Sequence, residues 1–231
     1  MEHERLVVIV PEGLTFGPHT YSDCEIGGAL FSSGEDSERL AQISNLSFVN
    51  CSMWGTYFTR CLLAGVKFER VKCRGHGVTF QHCVFDRVSL GCRGPVAVKQ
   101  WHYEQAPGGA GRRAAYTNKV DRLYDTISWA LDVRRLSSGR AMQFAGVPPA
   151  KIIVDPERQV IVDTRVDDHI AAALGIQKLL VCIEWGRSVG KSFLLLDYGS
   201  LGVDLKSAPS VMADIRAARL AVSTHDGVSL P

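Results

Sequence analysis

The chain has 231 residues, a formal net charge of +2, 46% hydrophobic and 22% charged residues, which excludes wholesale disorder and leaves room for one large or two modest domains. Residues 1–95 carry 9 basic and 10 acidic groups and residues 96–231 carry 17 and 14, so neither half has the basicity of a protein built to coat nucleic acid. The opening MEHERLVVIV lacks a small-residue cleavage site, so no signal peptide is expected. No apolar stretch approaches the roughly 18 residues of a membrane span, which points to the cytoplasm, or to a virion if the chain is phage-encoded.

Arg5–Val10 (RLVVIV), ahead of Pro11–Gly13, reads as a first strand. A five-residue beat follows. Small or apolar pairs recur as Leu14/Phe16, His19/Tyr21, Cys24/Ile26 and Ala29/Phe31. They resume as Leu46/Phe48, Cys51/Met53, Thr56/Phe58, Cys61/Leu63, Val66/Phe68 and Val71/Cys73, then as Val78/Phe80, Cys83/Phe85 and Val88/Leu90. Period five is neither the 3.6 of a helix nor the 2 of a half-buried strand. A chain that must turn after every fifth residue describes a solenoid.

These units resemble the pentapeptide-repeat family over about residues 14–92. The resemblance implies a right-handed quadrilateral β-helix in which each five-residue unit forms one side and four units one coil. The central residue of each unit, and the residue two before it, would point inward. Cys, Val and Thr stand where the family favours Ala, and polar insertions fall at about Ser32–Leu40 and Arg74–Gly77. With the insertions looped out, Tyr21, Phe48 and Phe68 form one aromatic column and Phe31, Phe58 and Phe80 another. Cys24 then lies beside Cys51 and Cys61 beside Cys83, about one strand spacing apart and within the Cα range of a disulfide. Seven cysteines is an odd count, so reduced thiols filling a narrow core are the simpler reading. The first strand would cap the near end of the stack.

Residues 96–115, with APGGAGRR at their centre, read as a Gly-rich linker between a β-helical domain (1–95) and an α+β domain (116–231). In the latter, Tyr116–Leu136 has helical spacing, and Lys151–Asp155 with Gln159–Asp163 suggests a hairpin. Asp167–Leu174 suggests a short helix, Lys178–Trp185 and Ser192–Asp197 a second strand pair, and Pro209–Val222 a closing helix. This order implies an antiparallel sheet.

Candidate chemistry is sparse. GRSVGKS at Gly186–Ser192 has three residues, not four, before GK, and precedes a strand rather than a helix. Asp155, Asp163 and Asp197 each end an expected strand and could bind a divalent metal and cleave phosphodiesters, although aspartate is also common at turns. Cys73, His76, His82, Cys83 and Cys92 do not converge as a zinc site in the repeat frame, and Cys182 reads as core. No catalytic, cofactor or metal site is assigned. Trp54, Tyr57, Trp101 and Tyr103 are candidate interface anchors.

The expectation is a non-enzymatic protein–protein interaction or scaffold protein, a structural component of a larger assembly of which a virion is one kind, with other proteins or its own copies as partners. Two alternatives stand beside it. One, from the family, is a DNA-mimic topoisomerase-binding protein, which residues 41–92 oppose with six basic against two acidic groups. The other is a metal-dependent phosphodiesterase in the C-terminal half.

Overall fold

The computed structural model describes residues 7–11, 14–33, 40–99, 109–188, 192–218, 220–222 and 224. The N-terminal strands are β1 (Val7–Ile9), β2 (Thr15–Phe16), β3 (His19–Ser22), β4 (Glu25–Gly27), β5 (Leu30–Ser32) and β6 (Ala41–Ser44). Then come β7 (Leu46–Val49), β8 (Ser52–Thr59), β9 (Cys61–Ala64), β10 (Lys67–Gln81), β11 (Val84–Asp86), β12 (Val88–Arg93) and β13 (Val96–Lys99). All pair in parallel, with partners 18 to 27 residues apart: Phe48 pairs with Phe68, Phe58 with Phe80, and Phe31 with Phe58.

The period has a backbone cause. Left-handed φ recurs at Asn45, Asn50, Gly55, Arg60, Gly65, Arg70 and Gly75, every fifth residue. Each such residue bends the chain, and alternate side chains of the extended residues between bends face the core; β8 runs through the bend at Gly55, and β10 through those at Arg70, Gly75 and Gly77. L-residues other than Asn, Asp and Gly are disfavoured there, so Arg60, Arg70 and Arg87 are held by the pairing on either side.

The core is aromatic. Phe31 and Phe58 stack with ring centroids 4.6 Å apart, Phe58 and Phe80 at 5.2 Å, and Phe48 and Phe68 at 5.0 Å. The two columns meet edge to face, Phe58 against Phe68 at 6.0 Å, the arrangement ring quadrupoles favour. The register foreseen for both columns is the register found.

The architecture as a whole differs from the one expected. The chain is built mostly of parallel sheets, one of eleven strands and one of four, with few helices. This corrects the right-handed quadrilateral β-helix followed by a small α+β domain. The larger sheet also does not end at residue 95: β14 (Leu131–Asp132) pairs in parallel with β12, and β15 (Ile152–Ile153) with β14. Burial supplies the reason. Ala130, Leu131, Val133, Ile152 and Ile153 are inaccessible to solvent or nearly so, and they satisfy the backbone edge that β12 would otherwise leave open.

Several local expectations change with it. The expected linker contains β13 and the first residues of helix α1 (Gly109–Thr126). That helix stops ten residues short of Leu136, because Ile127, Ala130, Leu131, Val133 and Leu136 are drawn into the sheet's core. The expected hairpin of residues 151–163 is absent: β15 joins the parallel sheet, while β16 (Gln159–Asp163) pairs antiparallel with β17 (Phe193–Asp197). Lys178–Trp185 is not a strand but part of helix α3 (Gln177–Ser188), burying Leu179, Ile183 and Gly186 at helical spacing. Asp167 caps α2 (Asp168–Ala173) by accepting from the His169 N–H at 2.8 Å. Helix α4 (Ala208–Ala217) closes a second, smaller core around Val160, Val162, Leu194, Leu196, Met212 and Ile215.

Candidate functional site

Outward positions of the large sheet are set by the same register that fills its core. Ser52 of β8 stands opposite Lys72 of β10, and Lys72 opposite Arg93 of β12. One step along, Gly27 stands opposite Trp54 and Trp54 opposite Arg74. The result is a wall bearing Trp54, Lys72, Arg74 and Arg93. Lys72 and Arg93 are exposed, and neither makes an ion pair among the described residues. Like charges facing each other across paired strands destabilise a sheet, so this arrangement stores repulsion that an anionic group would relieve. Arg74 reaches Glu25 only at 4.0 Å, with both side chains more than half exposed, a contact of small energetic weight.

Trp54 is half-buried because of a specific neighbour. A Cβ added to Gly27 would lie 2.2 Å from the indole, so the ring rests directly on the glycine backbone. Only glycine permits that approach. The ring is thereby held against the wall, beside Arg74, with its orientation fixed in advance. Tyr57 is also half-buried and points outward beyond the bend at Gly55. Trp101 and Tyr103 lie outside the described residues.

Six thiols lie in pairs. Cys24 Sγ and Cys51 Sγ are 3.4 Å apart. Cys61 faces Cys83 across β9 and β11, adjacent to the paired Leu62 and Val84. Cys73 and Cys92 share a hydrogen bond that lowers the pKa of Cys73 while hydrogen bonding and burial raise that of Cys92. Burial, then the Cys83 thiol, raises Cys61. Cys24 alone of these six is more than marginally exposed.

The three aspartates at strand ends do not meet. In the β16–β17 register Asp197 stands opposite Gln159 and Asp163 opposite Phe193, so Asp197 and Asp163 occupy opposite ends of a five-residue ladder, on the order of 13 Å apart. Each serves its own turn. Asp155 Oδ1 accepts from the Glu157 N–H at 3.0 Å, and Asp163 Oδ1 from the Arg165 N–H at 2.8 Å. The Arg165 guanidinium lowers the pKa of Asp163.

Asp197, almost inaccessible, has a larger task. Its Oδ2 accepts from the N–H groups of Ser138 and Gly139, both at 3.2 Å, and its Oδ1 from Ser200 N–H at 2.7 Å. Its register partner Gln159 donates from Nε2 to the carbonyls of Val133 (2.8 Å) and Leu136 (3.0 Å). Together they clamp residues 133–139, which leave the large sheet, onto the antiparallel pair. Among the described residues no group of three or more His, Cys, Asp or Glu side chains could hold a metal, and His76 is exposed while His82 is buried. Part of the Gly186–Ser192 segment falls outside the described residues, and Gly186 itself lies within α3.

One exposed feature escaped sequence reasoning. Because 178–185 is helical, Val181 and Trp185 fall one turn apart on the outer side of α3, 58% and 42% exposed. Reading the segment with period 3.6 rather than 2 separates them from the buried Leu179 and Ile183. A shallow depression of about 350 Å³ runs along α1, lined among the described residues by that helix's own Asn118, Lys119, Arg122, Leu123 and Thr126. No described helix is long and apolar enough to cross a membrane. Comparison with protein-family models, with curated proteins and with solved structures finds no match for this chain.

Proposed function

We propose that the protein is a scaffold that binds another protein through the outer face of its large parallel sheet. The observation that carries this reading is the wall of Trp54, Lys72, Arg74 and Arg93, where a pre-set indole sits beside three cations, two of them opposed in register without counter-charges among the described residues. Aromatic and arginine side chains on a rigid support are what protein interfaces use as anchors. Rigidity follows from the sheet beneath, whose inward residues are fully packed. An acidic protein surface is the complementary partner. The outward cations also oppose the alternative of a DNA mimic, which needs an acidic face. The phosphodiesterase alternative loses support from the separation of Asp163 and Asp197.

The test is capture of partners by the purified, immobilised intact protein, with three variants beside it: Lys72→Glu combined with Arg93→Glu, Trp54→Ala, and Gly27→Ala. The reading expects one stoichiometric acidic protein, retained by the parent, lost with the charge reversal and weakened at least tenfold by either aromatic-site change. Gly27→Ala is informative because it removes no wall side chain and displaces only the Trp54 indole. Retention unaffected by all three variants refutes the assignment of this face.

A further inference from the structure

We propose that Cys24 and Cys51 form a modification site, a pair of thiols that closes to a reversible cross-strand disulfide when a low-molecular-weight disulfide is present. Three observations single out this pair. The Sγ atoms are already 3.4 Å apart, inside ordinary sulfur–sulfur contact. The Cα atoms lie on adjacent parallel strands, where Ser52 N–H donates to the Cys24 carbonyl at 2.9 Å, and that spacing falls within the separation a disulfide spans. Cys24 is half-buried at the rim, whereas Cys61, Cys73, Cys83 and Cys92 are all buried. An oxidant in solution therefore reaches one pair and not the other two.

The exchange balances in two steps. The Cys24 thiolate attacks one sulfur of the small disulfide, forming a mixed disulfide and releasing one small thiol. Cys51 Sγ, which lies against Cys24 and also contacts the carbonyls of Tyr21 (3.3 Å) and Val49 (3.4 Å), then attacks Cys24 Sγ and gives up its proton to the departing small thiolate. The second small thiol leaves. Two Sγ–H bonds are lost, one Sγ–Sγ bond forms, and the small disulfide takes up both electrons. Burial and the Cys51 hydrogen bond push the Cys24 thiol up to about 11, so the first step accelerates as pH rises.

The site of the bond gives it a consequence. Among the described residues β4 pairs with β8 alone and β3 with β7 alone, so Glu25–Gly27 lies at the edge of the described sheet. A Cys24–Cys51 bridge ties that edge to the strand beneath it and guards it against fraying and strand exchange. It also fixes the strand carrying Gly27, on which Trp54 rests.

The intact reduced protein is incubated with oxidised glutathione at mildly alkaline pH, its remaining thiols are alkylated under denaturing conditions, and peptides are mapped without reduction. The expected result is five alkylated cysteines of seven, one linked peptide joining Cys24 to Cys51, its loss on adding dithiothreitol, and slower amide exchange over residues 23–28 in the oxidised form. Cys61→Ser should leave the linkage unchanged, and Cys51→Ser should leave Cys24 as a mixed disulfide. Because the mapping is done on the parent protein, it stands even where a variant fails to fold. Seven alkylated cysteines, a different linkage, or unchanged exchange over 23–28 would overturn the proposal.

Discussion

Phe58→Ala tests the packing on which the wall depends. The Phe58 ring is inaccessible to solvent and sits between Phe31 (4.6 Å) and Phe80 (5.2 Å), with the edges of Phe48 (6.4 Å) and Phe68 (6.0 Å) beside it. Truncation removes a whole side chain from a site walled by four rings that are themselves held by backbone pairing, so the gap cannot collapse. Buried Phe→Ala substitutions cost about 3–5 kcal/mol, and loss of four aromatic contacts places this one at the upper end. For a chain of this length each kcal/mol lowers the melting temperature by about 2–4 °C, so about 5 kcal/mol corresponds to roughly 10–20 °C. Phe58→Leu, which keeps most of the volume, should cost less than half as much. Thermal unfolding followed by circular dichroism reads both. A Phe58→Ala loss below about 1 kcal/mol would refute the reasoning, since exposed or loosely packed rings give values of that size.

Other predictions follow from the polar interior. Asp197→Ala leaves the N–H groups of Ser138, Gly139 and Ser200 without their acceptor, an expected loss of about 3 kcal/mol or more, whereas Asp197→Asn keeps one acceptor oxygen and should cost less; chemical denaturation distinguishes them. Burial, then the nearby Arg60 charge, lowers His82 from 6.5 to about 4. The unfolded chain therefore binds a proton that the folded one refuses between these values. The His82 contribution is complete above about 6.5 and is lost as pH falls toward 4. Unfolding midpoints measured across that window should fall with pH, and His82→Asn, which tolerates the left-handed backbone there (φ 53°), should flatten the slope. Arg93→Glu places a carboxylate opposite Lys72 and should raise stability by about 0.2–1 kcal/mol, less in high salt.

The spacing of apolar pairs made the core legible: residues such as Phe48, Met53, Phe58, Leu63 and Phe68, five apart, all face inward. Which strand pairs with which was legible for the same reason, since only one register aligns the aromatics. The bends could have been read too. Asn45, Asn50, Gly55 and Gly65 are residues that accept left-handed φ, but Arg60 and Arg70 interrupt the pattern and conceal its period. The overall architecture was not legible. Nothing in Leu131–Asp132 or Ile152–Ile153 distinguishes strands that extend a parallel sheet from strands of a separate domain, because a two-residue strand is defined by its partner. Residues 178–185 misled for a related reason: LLVCI is a short apolar run, and such runs suit a buried strand or a helix equally. Helical burial of Leu179, Ile183 and Gly186 resolved it only in three dimensions. Of the interface candidates, Trp54 was singled out by its outward repeat position, while the opposition of Lys72 and Arg93 required the register.

The parallel register of β5, β8 and β10 places the core rings, the thiol pair and the basic wall, and ring-to-ring nuclear Overhauser contacts in a phenylalanine-labelled sample test it most directly. Contacts from Phe58 to both Phe31 and Phe80, with none between Phe31 and Phe80, are the expected pattern. Phe58 in contact with neither, or Phe31 touching Phe80, would contradict the register and everything built on it.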